Sequence, residues 1–408
     1  MVVPAQLLSQ SITYSTSIDI TNPNKVTFDG SPFSLSSYET APIGFAFSSD
    51  GMKLFVVGGG AVSVIQFSLS SAFDTSSGIT HDGSFDLSNE DDFPFDIFFD
   101  HTGTKMFILG NTDQEINQYT LTTPFSITSG VTYDGSPLDL STEDTNSQAF
   151  TFNFDGDKLY VIGAGAGEIN QYSLSTPFDI TSGVSHDGTP LDISSYDTSP
   201  ISIVFNTNGS KLFVLGGGKD SVNQYVLSTP YDITTGVSFQ GSFDVTNQES
   251  FPTALKFHDN YMFVMGSWDI EINRYMLSTS IFVETLGNAG SLNGGMILRI
   301  SDETFTNQGS TLTHEVDYTV DNLPTGLIPQ LNISTDGLTA SLTISGSASS
   351  HEALDGVNDL QFTFENTAFT GGDASAVANS SAFSSGLGIE FTDAPTLSYF
   401  PSPDNSRA

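Results

Sequence analysis

The stretch "GEINQYSLSTPFDITSGVSHDG", Gly167 to Gly188, decides how the rest of the chain is read. Nearly the same words occur from Gln114 to Gly135 ("QEINQYTLTTPFSITSGVTYDG") and from Asp220 to Gly241 ("DSVNQYVLSTPYDITTGVSFQG"). A looser version runs from Val62 to Gly83 ("VSVIQFSLSSAFDTSSGITHDG"). Outward from these, a lysine opens an apolar run in "DGMKLFV", "TGTKMFI", "DGDKLYV" and "NGSKLFV", at Lys53, Lys105, Lys158 and Lys211, 52 or 53 residues apart. A polar–aromatic pair recurs at Gln66-Phe67, Gln118-Tyr119, Gln171-Tyr172, Gln224-Tyr225 and Arg274-Tyr275, and a glycine at Gly30, Gly83, Gly135, Gly188 and Gly241. Self-similarity at a fixed period of this size is the mark of a repeat architecture.

Each copy reads as four short strands rich in Val, Ile, Phe and Tyr, separated by Gly/Asp turns, with no 3.6-residue periodicity. Four antiparallel strands per unit, repeated radially, make a propeller blade. The last copy stops at Ser280 with three strands, while "STSIDITNPNKVTFDGSPFSLS", Ser15 to Ser36, supplies a fourth strand that has no first three of its own. The predicted fold is therefore all-β: a five-bladed β-propeller closed by the N-terminal strand, which removes exposed sheet edges. The same strand could instead complete a neighbouring copy's blade and make a homo-oligomer. After Ser280 about seven strand-like runs, from "IFVETLGNAG" to "LGIEFTDA", predict a C-terminal immunoglobulin-like β-sandwich. The expected division is 1–14 as an N-terminal arm, 15–280 as propeller with 15–36 completing the last blade, 281–395 as sandwich and 396–408 as a flexible tail.

Composition narrows the function classes. With 10 basic against 47 acidic residues the net charge is −37, which repels phosphate backbones and anionic membranes, so no nucleic-acid partner is expected. Aromatics at 12% and charged residues at only 14% argue for packed cores rather than disorder. Cysteine is absent, which excludes disulfides, thiol chemistry and Cys-based zinc sites. No apolar run reaches the roughly eighteen residues of a membrane span, and "MVVPAQLLSQSITYS" lacks the basic and apolar regions of a signal peptide.

Aligning the inner strands on Phe47, Phe99, Phe152, Phe205 and Phe257 places one carboxylate eight residues before each: Glu39, Asp91, Asp144, Asp197 and Glu249. The plainer reading is a repeated Asx-type cap on nearby backbone N–H groups. The sharper one is a ring at one mouth of the channel holding a hard cation such as Ca²⁺; no other cofactor is expected. The same mouth should carry the variable hairpins "GGGAVS", "GNTDQE", "GAGAGE", "GGGKDS" and "GSWDIE". Trp268, the only tryptophan, lies in the last of them and is the candidate binding residue. The lysines fall at the opposite ends of the strands, with stems expected along aromatics and heads in water. His81 and His186 share a position with Tyr133 and Phe28, which suits a half-exposed strand site better than a catalytic base. Asp92 and Asp96 are the only symmetry-breaking acids that a glycosidase reading could use.

The "NQYxLSTPFDITSG" and "DGxKLFV" units resemble propeller repeats of marine phage and bacterial secreted or surface proteins. The segment beginning "LPTGLIPQLNISTDGLTASLTISG" resembles an immunoglobulin-like module of large bacterial surface proteins. The resemblance implies scaffolds rather than one activity. The expectation is a non-enzymatic virion structural or adhesion protein, located in the particle or at a cell surface, with other virion or surface proteins and a host-surface glycan as partners. A bacterial secreted adhesin and a carbohydrate-active enzyme are the alternatives.

Overall fold

The computed structural model describes residues 10–15, 20–21, 26–165, 167–206, 208–258, 261–277, 280–284, 289–294, 296–301, 303–352, 355–357, 360–378, 380 and 388–391. It divides into two units, Met1–Ser9 with Ser17–Thr279 and Gln10–Thr16 with Ser280–Ala408.

Among the described residues the first unit is built of five antiparallel sheets, one per sequence copy. In the first, Pro42–Phe47, Lys53–Gly58, Ser63–Leu69 and Ile79–Asp86 pair in that order. The inner strands of the others are Pro94–Phe99, Ser147–Phe152, Pro200–Phe205 and Pro252–His258. Each inner strand neighbours the next in cyclic order, and the fifth neighbours the first. Five apolar cores lie between adjacent sheets, including one that joins Phe45, Leu54 and Phe67 of the first to Ala254, Phe263 and Met265 of the fifth. The second strands are buried from their second residue onward, because sheets cover both of their faces. The continuous outer strands Ile79–Asp86 and Val237–Asp244 instead alternate between half-buried and mostly exposed positions. This is an all-β arrangement of repeated four-stranded sheets, consistent with a β-propeller.

One inserted residue explains the difference among outer strands. Copies one and four read "DGSFD" and "QGSFD" and keep one continuous strand. Copies two and three read "DGSPLD" and "DGTPLD", and the strand breaks into Val131–Tyr133 plus Leu138–Asp139, and Val184–His186 plus Leu191–Asp192. Proline cannot donate to the ladder, and the glycine before it turns left-handed, at φ 77° for Gly135 and 109° for Gly188. The N-terminal segment reads "DGSPFS" and behaves likewise: Val26–Phe28 and Phe33–Ser34 pair separately with Glu271–Leu277 of the fifth sheet.

The recurrent glutamine ties each sheet to the next. Its Oε1 accepts the backbone N–H of an isoleucine one sheet onward: Gln66 from Ile127 (2.9 Å), Gln118 from Ile180 (2.9 Å) and Gln171 from Ile233 (3.3 Å). Gln224 accepts from Ile20 (3.1 Å), so the N-terminal segment occupies the slot of the isoleucine missing from the fifth copy. At the remaining junction, fifth to first, the glutamine is Arg274 and the isoleucine is Thr75. Arg274 ion-pairs with Asp29 through Nε and with Asp74 through a terminal nitrogen (3.0 Å). It also donates to the Phe73 carbonyl (3.0 Å) and lies over the Tyr261 ring, 4.8 Å from its centroid. One guanidinium therefore joins the N-terminal segment, the last sheet and the first.

The second unit holds a six-stranded sheet in the order Thr311–Leu312, Leu327–Ile333, Thr339–Gly346, Met296–Ser301, Gln10–Ser15, Val377–Ala378. A three-stranded sheet (Leu292–Gly294, Ser280–Glu284, Gly388–Glu390) and a paired Tyr318–Asp321 and Gln361–Phe364 accompany it. Its core gathers Leu298, Phe305, Tyr318, Leu331, Leu342 and Phe362. The sequence reading put residues 1–14 in an arm. Gln10–Ser15 is instead an internal strand, antiparallel to Met296–Ser301 and parallel to Val377–Ala378. It satisfies backbone groups on both neighbours that would otherwise face an unfilled gap. The expected tail, 396–408, lies outside the described residues.

Candidate functional site

The five repeated carboxylates are buried, and each serves its own sheet. Asp91, Asp144, Asp197 and Glu249 accept the backbone N–H two residues on, at Phe93 (2.7 Å), Asn146 (2.7 Å), Ser199 (2.8 Å) and Phe251 (2.8 Å). Glu39 reaches further: Oε1 accepts from Ala41 (2.8 Å) and Gly60 (3.0 Å), and Oε2 from Ala61 (3.1 Å). These are the side-chain caps of the plainer reading. Among the described residues no three acidic or histidine side chains are grouped to hold a metal ion.

A second set of residues makes this cap fit, and the sequence reading missed it. The second strands all end in glycine, at Gly58, Gly110, Gly163, Gly216 and Gly266. A Cβ at Gly110 would lie 1.7 Å from Asp91 Oδ2, at Gly163 1.5 Å from Asp144 Oδ2, at Gly216 2.0 Å from Asp197 Oδ2 and at Gly266 1.6 Å from Glu249 Oε2. The glycines form the floor on which the carboxylates lie. In the first four copies each follows its acid by nineteen residues, a spacing visible in the sequence. Among the described residues, the buried Oδ2 atoms of Asp91 and Asp197 and the Oε2 of Glu249 have no hydrogen-bond partner. Burial, with Asp113 and Asp92 adding repulsion against the Phe93 amide bond, lifts the Asp91 carboxyl above its ordinary range. Burial lifts Glu249 in the same way, with Asp269 and Glu271 adding to it.

The hairpins between second and third strands flank these caps. Each has a left-handed residue just before the third strand: Val62 (φ 47°), Gln114 (55°), Gly167 (69°), Asp220 (47°) and Ile270 (56°). The loop frame is thus constant while the side chains at its tip vary. Trp268 is 70% exposed, and its ring stacks on Phe251, itself 56% exposed, at 5.5 Å between centroids and 24° between planes.

At the other ends of the strands, the lysine heads are not simply in water. Lys53 pairs with Asp82 and Lys158 with Asp187, each at 3.2 Å. The same Asp82 oxygen accepts from Gln66 Nε2 (2.7 Å) and Ser68 (2.7 Å), and Asp187 from Gln171 Nε2 (2.8 Å) and Ser173 (2.8 Å). The aspartate fixes the amide orientation that lets Oε1 reach the next sheet. The outward reading failed because the partner lies 29 residues away, on the outer strand. His81 packs against Tyr38 and Phe67, and His186 against Tyr172.

Asp92 is exposed, whereas Asp96 lies on the inner strand and is fully committed. Asp96 Oδ1 accepts from the Ile97 amide (2.9 Å) and faces Lys256 Nζ at 3.5 Å, and Oδ2 accepts from the Phe150 amide (3.1 Å). Its counterparts in the other copies are Gly44, Ala149, Ser202 and Ala254, and those of Lys256 are Ala46, Phe98, Thr151 and Val204. Two departures from the repeat, on inner strands of the second and fifth sheets, therefore meet as one buried ion pair. Burial raises the Asp96 carboxyl, against the pull of Lys256. His258, packed on Phe73 and Phe47, is pushed down to about 3 by burial, with Lys256 adding to it.

No protein-family model and no curated protein matches the chain. Solved structures similar to it include a functionally unknown protein from Desulfotomaculum acetoxidans, at 9% identity over 86% of this chain and 90% of that one, with a TM-score of 0.35. The Cps50 (Swd1) β-propeller domain of Myceliophteria thermophila is 9% identical over 75% of this chain and 83% of its own, with a TM-score of 0.32. A luciferin-regenerating enzyme is 11% identical over 66% and 96%, with a TM-score of 0.39. No activity is carried over from likeness at this level.

Proposed function

We propose that the chain is a five-bladed β-propeller, clasped by its N-terminal segment and joined to an immunoglobulin-like sandwich, which works without catalysis as a structural and adhesion component of a phage particle. The observation that carries this reading is how the polar groups are used. The repeated carboxylates cap backbone, Asp82 and Asp187 lock inter-sheet amides, and the symmetry-breaking Asp96 is neutralised by Lys256. A hydrolase needs an acid and a base free to face substrate, and Asp96 has both oxygens engaged. The variable hairpins on a constant frame suit a surface that selects partners.

The test is quantitative mass spectrometry of particles purified from the source of the gene. Stoichiometric presence supports the reading, and absence from particles overturns it. Recovery in culture supernatant without particles would instead assign a secreted adhesin. Glycan cleavage lost in Asp96→Asn would establish a carbohydrate-active enzyme.

A further inference from the structure

We infer that Trp268 and Phe251 form a stacking platform for a neutral sugar ring, so that the ligand of this face is an uncharged glycan. The inference rests on the adhesion reading above and names the ligand class of that surface. These are the two most exposed aromatic side chains among the described residues. Neither ring is required by the repeat: the Trp268 slot holds Gly60, Thr112, Gly165 and Gly218 elsewhere, and the Phe251 slot holds Ala41, Phe93, Asn146 and Ser199. The counterpart Phe93 has a structural job, since a Cβ on Gly59 of the neighbouring hairpin would meet its ring at 2.2 Å. In the fourth hairpin the equivalent Gly217 is covered by Ile201, and Phe251 stacks on Trp268 instead.

The frame is rigid. Ile270 holds the left-handed position and packs towards the core between the fifth and first sheets, which fixes the turn that carries Trp268. The platform is thus ordered before any ligand arrives, and little side-chain freedom is lost on binding. Its rim carries Asp269 and Glu271, whose mutual repulsion adds to burial in raising the Glu271 carboxyl. Carboxylates accept hydroxyl donors, and an aromatic face takes the C–H face of a pyranose. Anionic polymers and lipid headgroups are repelled by this rim and by the net charge of −37. A second copy would bring the same acids against it. A neutral polyhydroxyl ligand satisfies both the ring and the rim.

Trp268 is the only tryptophan, so its fluorescence reports this site alone. The full chain is titrated with cellohexaose, chitohexaose, laminarihexaose and a neutral mannan, with heparin and anionic phospholipid vesicles as contrasts. The inference requires a saturable emission shift with at least one neutral glycan, protection from acrylamide quenching, and none with the polyanions. Phe251→Ala should weaken binding about tenfold, the loss of one aromatic contact. Trp268→Ala should abolish binding by calorimetry while leaving the circular-dichroism melt unchanged. Silence towards every neutral glycan, a response to heparin or vesicles, or a shift that follows protein concentration alone would each overturn it. Particle composition is measured separately, so failure here leaves the virion assignment standing or falling on its own test.

Discussion

Replacing Arg274 tests whether the junction between last and first sheets is a specialised clasp. Its guanidinium is 11% exposed, and Asp29 beneath it only 9%, whereas Asp74 is 27% exposed. Arg274→Ala strips Asp29 of its cation, and leaving a mostly buried charge unpaired costs about 3–5 kcal/mol. The outer pair with Asp74 adds at most about 1 kcal/mol, since solvent screens it, and the Phe73 carbonyl bond adds about 1 kcal/mol. Arg274→Gln restores the residue of the other four copies. Its Nε2 can donate to Asp29 as Gln66 does to Asp82, and its Oε1 can accept the Thr75 amide as Gln66 accepts that of Ile127. The expected cost is about 1–2 kcal/mol. Trp268 belongs to the same sheet, so its emission in a urea titration follows the first unit selectively. Hydrogen exchange should accelerate at the Val26–Phe28 amides in Arg274→Ala but hardly at Val131–Tyr133. Equal costs for Ala and Gln, or a loss below about 1 kcal/mol for Ala, would refute the clasp.

Further expectations address the carboxylate floor, the inner-strand ion pair and the charge balance. Gly110→Ala should displace the Asp91 carboxylate and cost about 1–3 kcal/mol by overpacking, with Asp91→Ala partly rescuing it; an unchanged urea midpoint would contradict the 1.7 Å approach. Lys256→Val alone should cost about 3–5 kcal/mol by leaving Asp96 buried and unpaired, while Asp96→Ala with Lys256→Val, both residue types the repeat already uses, should recover most of it. Stability should peak in mildly acidic solution. Asp91, Glu115, Glu249 and Glu271 have raised folded pKa values, so their contribution is fully present below the ordinary 3.8 and 4.5 and is lost as pH rises through the raised ones. For Asp82 and Asp187 burial alone would raise the carboxyl, but bonds from the serine, the glutamine and the lysine hold it low; their contribution is present above 3.8 and lost as pH falls through the lowered values. A melting temperature that climbs steadily from pH 5 to 8 would contradict this. Moderate salt should raise the melting temperature at pH 7, since it screens the −37 self-repulsion.

What the sequence made legible was whatever the repeat states in four or five of its copies. The strand boundaries follow from the lysine and glutamine anchors, and the pairing of Val26–Phe28 follows because "VTFDGSPFS" matches "VTYDGSPLD". Features that occur once, or that join distant positions, stayed hidden. Gln10–Ser15 has no repeat counterpart, and its partners lie more than 280 residues on, where strand propensity says nothing about pairing. Asp96 and Lys256 are visible as departures from the repeat, but only the packing of the inner strands brings residues 160 apart into one pair. The five carboxylates were readable as caps, yet their glycine floor required knowing which strand end lies beneath them. Trp268 was singled out by its uniqueness, while its partner Phe251 emerged only from the stacked rings.

The chain's itinerary has a mechanical consequence. Among the described residues it contributes Gln10–Ser15 to the second unit, runs through the five sheets of the first, and returns to the second at Ser280. The five sheets are thus a guest spliced into a host after the strand Gln10–Ser15. A pull applied at Gln10 and at Glu390 loads the host's sheets first. The guest bears no tension until Gln10–Ser15 is torn from Met296–Ser301 and Val377–Ala378. Synthesis imposes the matching delay, for the strand Gln10–Ser15 must wait for the entire guest to emerge before its own partners exist.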